Sequence, residues 1–181
     1  TIHNIRSVDQ RRQMAEMMHS LSDFEKIGDY CGSLAEEAER HHEQSVAFSA
    51  DGKREFTYAV EAVRTIIGMT VQAYGEENAV IAARVEPLEE TVDLMEETLK
   101  NKHIERLQNG TCSTKSGISF VEVLTAMDRI ASHCANIALH LTQRLSSDGS
   151  FDAHAHLRNS HDGVPDEYKA LCHYYESKYL E

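Results

Sequence analysis

Apolar and small residues recur at helical spacing along most of the chain. Met14, Met17, Leu21, Phe24, Gly28, Cys31, Ala35 and Ala38 advance by alternating steps of three and four, which is a heptad seam. The seam predicts a first helix over residues 2–48, roughly 70 Å long at about 1.5 Å per residue. Ser49, Asp51 and Gly52 break the pattern, and Ser49 or Asp51 is placed to cap the next helix. That second helix is predicted over 53–74, with Phe56, Ala59, Val60, Val63, Ile66, Ile67, Thr70 and Val71 as its buried stripe and Gly75 as its stop. A third is predicted over 77–108, kinked or divided at Pro87 and closed by Asn109-Gly110. The fourth, over 116–145, carries the seam Phe120, Leu124, Met127, Ala131, Cys134, Ala138, Leu141 and Leu145. A polar turn at 146–150, a short helix at 151–157, a loop through Gly163 and Pro165 and a last helix at 166–179 complete the chain. No segment alternates as a strand does. The pattern predicts an all-α protein of long antiparallel helices joined by short turns.

A twelve-residue segment occurs twice, about 103 residues apart: FEKIGDYCGSLA (24–35) and MDRIASHCANIA (127–138). Ile27/Ile130, Cys31/Cys134 and Ala35/Ala138 are identical between the copies. Such a period marks a duplicated supersecondary unit whose copies occupy equivalent places. The first copy carries Glu25 and Asp29 at i,i+4 spacing, on one helix face beside the seam. Asp128 and Ser132 hold the same two places in the second copy. Like charges so placed destabilise a helix by about 0.2–0.5 kcal/mol, and a cation between them reverses the sign. Two readings of the pair stand at this point: a cation site, or a solvated acidic face neutralised by Lys26 and water. Counting back from the turn near Gly110 sets Asp93 opposite Asp128, with Glu86, Glu89 and Glu90 within two turns. A site built from Asp128 and these acids is a further possibility, weakened by Ser132 standing where an acid is expected.

Composition narrows the choices. The chain has 181 residues, 2 Pro, 9 Gly and no Trp, which favours long helices. A net charge of −12 argues against nucleic acid as a partner and is compatible with cations. The 4 cysteines lack zinc spacing and read as reduced thiols in a cytoplasmic setting. No apolar run approaches the roughly 20 residues needed to cross a bilayer, and no signal peptide is present. The chain opens at Thr1 in mid-pattern, as a piece of a longer protein would. Of its 11 histidines, His154 and His156 read as surface residues, and His133 as a supporting residue or a ligand. Glu16–His19 and Glu39–His42 fit the Glu-x-x-His of di-iron bundles, but they share one helix, with Glu16 and His19 expected on its solvent side. No phosphate loop, nucleophile elbow or Cys-His-Asp constellation appears, so the expectation is a protein that is not an enzyme.

The segment from Asp23 to Asp29, of the form D-x-E-[KR]-I-G-D, resembles the helix signature of PhoU, a phosphate-regulation family built from two three-helix bundles. VEPLEETVD (85–93), KHIERLQNGTCS (102–113) and the second repeat copy are similar to the PhoU-like cytoplasmic tail of bacterial sodium-dependent phosphate cotransporters. The resemblance covers about residues 2–145 and implies PhoU-like antiparallel bundles made of spectrin-like three-helix repeats. Residues 1–48 would supply the third helix of a first repeat whose two leading helices are missing here. Residues 49–147 would form a second whole repeat, and 148–181 a helical extension. It implies a regulatory module on the cytoplasmic side of the membrane. The expected partners are a membrane-embedded transporter portion of the same or another chain, and a second copy in a homo-oligomer, with no nucleic acid. It also implies divalent or transition-metal ions such as iron or zinc, selecting Glu25 and Asp29 with Asp23 nearby, and Asp128 in the second repeat. Asp93 joins Asp128 through the hairpin argument above. A free-standing PhoU-type adaptor for a transporter or sensor kinase is the alternative.

Overall fold

The computed structural model describes residues 8–43, 48–145 and 166–180. Six helices occur in them: α1 (Val8–Glu43), α2 (Ala50–Glu76), α3 (Ala79–Ala82), α4 (Val85–Gln108), α5 (Thr114–Leu145) and α6 (Asp166–Tyr179). No strand occurs among the described residues, and no helix there is long and apolar enough to cross a membrane. The expected turn at 146–150, the short helix at 151–157 and the loop through Gly163 and Pro165 lie outside the described residues.

The helix ends are set by local chemistry. Ser49 Oγ accepts the Gly52 amide at 3.1 Å and caps α2. Gly75 does not stop that helix. It runs on to Glu76, and Glu77 takes the left-handed conformation (φ 50°), an uncommon place for a side chain larger than Asn. Arg144 holds the Glu77 carboxylate at 2.7 Å. Asn78 then caps α3 by accepting from Val80 and Ile81. The long third helix expected from the sequence is divided, as its proline foretold. The break falls at Ala83–Arg84, and Pro87 sits in the first turn of α4, where a missing N–H costs nothing. Gly110 adopts φ +68° in the turn to α5, a conformation that glycine reaches without penalty.

Helices α2, α4 and α5 pack on one another as a three-helix bundle, with α3 bridging α2 and α5. Its core includes Ala62, Ile66, Val85, Leu88, Ile130, Ile137 and Leu141, all fully buried. Each large member contributes about 1.5–3 kcal/mol by leaving water. The α5 seam is the expected one, widened by Val123, Ile130 and Ile137. On α2 the expected stripe is buried or half-buried except Val71, which is 55% exposed. Helix α6 lies mainly on α4 and also meets α2; its Tyr175 and Tyr179 are buried, with their hydroxyls against Met69 and Thr65 of α2.

Helix α1 runs antiparallel along α5, and here the expected seam is displaced. The residues turned inward are Glu16, Ser20, Asp23, Ile27, Tyr30, Leu34, Glu37 and His41. They form a second heptad series, mostly one residue behind the apolar one, which corresponds to a rotation of about 100°. The cause is polar pairing. Glu16 meets His140 at 2.7 Å, Asp23 meets His133 at 2.8 Å, and Ser119 of α5 donates to the buried Glu37. A mostly polar face is therefore the one that docks, and most of the apolar stripe is left outward.

Candidate functional site

An acidic layer lies where α4 faces α5. Glu89, Asp93 and Glu96 recur at helical spacing on α4, and Thr125, Asp128 and Ser132 do so on α5. The short turn at Gly110 folds α5 back along α4, which sets these two rows facing each other. Ser132 Oγ donates to Glu89 Oε1 at 3.2 Å, and Thr125 Oγ1 donates to Glu96 Oε1 at 3.2 Å. Lys100 also binds Glu96 Oε1. Glu89 is half-buried, and burial is the main cause that pushes its carboxyl up to about 7; nearby Glu90, Asp128 and Asp93 add to the rise, while the Ser132 hydrogen bond opposes it. Burial also raises Asp128, with Asp93 and Glu96 as the next contributors. Beside this layer a cavity of about 370 Å3 opens between α4 and α5, bordered by Glu86, Glu89, Glu90, Ser132 and Asn136.

The residues singled out from the sequence fall into three places. Asp93 is near enough to Asp128 for its charge to act on it, in line with the hairpin count, and both act on Glu89. Glu25 and Asp29 lie on the exposed side of α1, where Lys26 Nζ binds Asp29 at 3.2 Å. That hydrogen bond is the main cause that raises the Lys26 ammonium above its ordinary value. Asp23 turns away from them toward α5, with one oxygen 2.8 Å from His133 Nδ1 and the other 3.7 Å from His140 Nε2. Asp23, Glu25 and Asp29 thus do not converge. Among the described residues no three His, Cys, Asp or Glu stand together so as to hold a metal ion.

His19 is exposed, as expected, but Glu16 is half-buried against α5. Glu16 reaches across to His140, and the His19 ring stacks on His140 with centroids 5.2 Å apart. His133 has a supporting role in this structure, set between Asp23 and the Tyr30 ring, whose centroid is 5.9 Å away. One polar group escaped sequence reasoning altogether. Glu37 accepts from Ser119, binds Arg40 at 2.8 Å, and lies beside His41, which also contacts Ser119. No motif links residues so far apart in the chain. The available signal was a lone acid recurring on a face that otherwise looked unremarked.

At the far end of the bundle, His103 is buried against Phe120 and lies near Cys112, whose sulfur is 3.9 Å from Nδ1. Burial lowers the His103 imidazole, and the Arg106 charge lowers it further. Gly117 leaves room for that ring: a Cβ there would come within 2.3 Å of His103 Nε2.

Comparison with known proteins fits this architecture. Residues 59–141 match the PhoU domain, a stretch that runs from within α2 to near the end of α5 and contains the whole acidic layer. The chain is also 21% identical over 128 residues to the phosphate-specific transport system accessory protein PhoU homolog 1 of Thermotoga maritima, covering 71% of this chain and 54% of that protein. It therefore spans about half the length of the curated relative it matches. No solved structure matches the chain. The chain is thus an all-α helical protein that is similar to PhoU over the bundle of α2–α5.

Proposed function

We propose that the chain is a PhoU-type regulatory module of phosphate transport, acting through contact with a transporter and not as an enzyme. The observation that carries this is the coincidence of the PhoU match with one intact bundle, α2–α5, and its acidic layer. In this reading the module works on the cytoplasmic side of the membrane beside a membrane-embedded portion of the same or another chain. The segments 85–93 and 102–113 favour the tail of a sodium-dependent phosphate cotransporter. The relative's description as an accessory protein favours a free-standing adaptor. Upstream coding sequence rich in membrane spans would select the first.

Divalent cations, iron or zinc among them, would bind through the carboxylates of the acidic layer. Carboxylate oxygens suit hard cations, and the half-buried Glu89 and Asp128, raised mainly by burial, would be relieved by a positive charge. Asp93 and Asp128 are the acids that would face the ion, and with no third His, Cys, Asp or Glu standing with them among the described residues such binding would be weak. Its role there would be electrostatic: a positive charge opposes the burial that raises Glu89 and Asp128. The first-repeat acids fit less well. Asp23 is engaged by two histidines, and Glu25 and Asp29 offer only two exposed ligands with Lys26 competing. Binding at Glu25 and Asp29 is expected to be weak in this chain and stronger where neighbouring helices add ligands.

The test is physiological. Deleting the coding sequence from its host should change how phosphate uptake responds to external phosphate. An unchanged response across phosphate-rich and phosphate-poor media would refute the regulatory reading.

A further inference from the structure

Helix α6 lies in the groove between α2 and α4, parallel to α4 and antiparallel to α2. At its start, Tyr168 and Cys172 feel the charges of Glu86 and Glu90. Further along, Tyr175 donates to Met69 Sδ at 3.6 Å, and the Tyr179 hydroxyl pairs with Thr65 Oγ1 at 3.0 Å. At its end, Tyr179 and Leu180 border a small cavity with Tyr58, Met95, Leu99 and Lys102.

The grip is uneven. Of the three phenols, Tyr179 has a hydroxyl partner, and Tyr175 has a thioether, a weak acceptor. The Tyr168 hydroxyl is buried with no hydrogen-bond partner among the described residues. Burying a hydroxyl in this way opposes docking. A helix of 14 residues also has little stability of its own.

The groove is polarised as well. Burial raises the Tyr168 phenol, and Glu86 and Glu90 raise it further. Cys172 is pushed up to about 11 by burial, with Glu90 and Glu176 as the next causes. The end of the groove beneath these residues is therefore negative, whereas Lys102 borders the other end. A helix laid in the direction of α6 brings its positive dipole end to Glu86 and Glu90 and its negative end to Lys102. The first turn of α6 works against that match, because it carries Asp166 and Glu167.

We propose that the α2–α4 groove is a docking site for a basic amphipathic helix of a partner protein, with α6 as its resident, displaceable occupant. The partner helix carries Lys or Arg at the places of Asp166, Glu167 and Tyr168, and aromatic residues at those of Tyr175 and Tyr179. The cavity of about 370 Å3 bordered by Glu86 and Glu90 gives a long cationic side chain room. The inference stands on the groove and its charges and does not depend on the transport role proposed above.

The probe is a fluorescent synthetic peptide of residues 166–180 carrying Asp166→Lys, Glu167→Lys, Tyr168→Arg and Cys172→Ser, titrated into the 181-residue chain. Saturable binding is expected by anisotropy. A peptide that keeps Asp166, Glu167 and Tyr168 should bind more weakly. Tyr175→Ala/Tyr179→Ala in the chain should tighten binding about tenfold or more, because less of the groove is occupied by α6. Circular dichroism checks that this variant keeps its bundle. A second readout needs no variant: bound peptide should speed alkylation of the chain's Cys172, located by mass spectrometry, while the buried Cys134 stays protected. No binding overturns the proposal, and so does equal affinity for the chain and its folded Tyr175→Ala/Tyr179→Ala variant. Bound peptide that leaves Cys172 labelling unchanged places the contact on another surface and also overturns it. Equal binding of the two peptides overturns the charge match.

Discussion

Replacing Glu89 by Gln removes one negative charge from the acidic layer and keeps a partner for the Ser132 hydroxyl. The Glu89 carboxyl is raised from 4.5 to about 7 on folding. Below its unfolded value the group is protonated in both states and the fold has its full stability. As pH rises through about 7 the folded chain must carry a charge that the unfolded chain accommodates more easily, so stability falls. At about 1.4 kcal/mol per unit the whole shift corresponds to roughly 3 kcal/mol. Glu89 is only half-buried, and screening by solvent reduces this to about 1–2 kcal/mol. Burial of Asp128 acts in the same direction and remains in the variant. Urea unfolding followed by circular dichroism should therefore show wild type and Glu89→Gln equal within a few tenths of a kcal/mol at acid pH near 4.5. Above neutral pH the variant should be the more stable by about 1–2 kcal/mol. Millimolar divalent cation should narrow that gap by stabilising the wild type. Curves that fall in parallel with pH, or a variant less stable than wild type in alkali, would refute the burial argument.

Three further outcomes rest on particular contacts. Gly117→Ala should destabilise by about 1–2 kcal/mol, because displacing the buried His103 ring outweighs the roughly 1 kcal/mol that alanine gains over glycine in a helix; a more stable variant in thermal melts would contradict this. His133→Ala/His140→Ala should leave Asp23 and Glu16 without their α5 partners, so amide exchange should quicken along α1 while α2, α4 and α5 stay protected; uniform protection would show that the pairs hold nothing. Burial pushes the Cys134 thiol up to about 12, whereas Cys31 is exposed, so mild alkylation should label Cys31 first and reach Cys134 only on unfolding; early labelling of Cys134 would contradict its burial.

How much of this was legible in the sequence depended on whether packing or pairing fixed each element. Helix α5 was readable because its buried positions are large and apolar at steps of three and four. The Asp93–Asp128 juxtaposition was readable because a short turn leaves little freedom in how α4 returns as α5. Pro87 announced the division of the third helix, and only the break's place, at Ala83–Arg84, needed the structure. The orientation of α1 was not legible. Its apolar series drew attention, yet the contacts that orient it are Glu16–His140, Asp23–His133 and Glu37–Ser119, each linking residues at least 82 apart. A charge has no periodic signature that names its partner. The end of α2 was missed for a related reason: Gly75 is the usual stop, but Arg144 from α5 holds Glu77 in the left-handed turn. For the candidate site, sequence supplied Asp93, Asp128 and the neighbouring Glu89. It did not show that Asp23 turns away from Glu25 and Asp29.

The most direct test of the regulatory role is labelled phosphate uptake in a host lacking this coding sequence, complemented with wild type or with Asp93→Asn/Asp128→Asn. Both proteins should accumulate and fold, since these substitutions remove charge without removing a core side chain. Wild type should restore the normal response of uptake to external phosphate, and the double variant should not. A double variant that restores the response as fully as wild type would contradict the claim that the PhoU-like bundle works through its acidic layer.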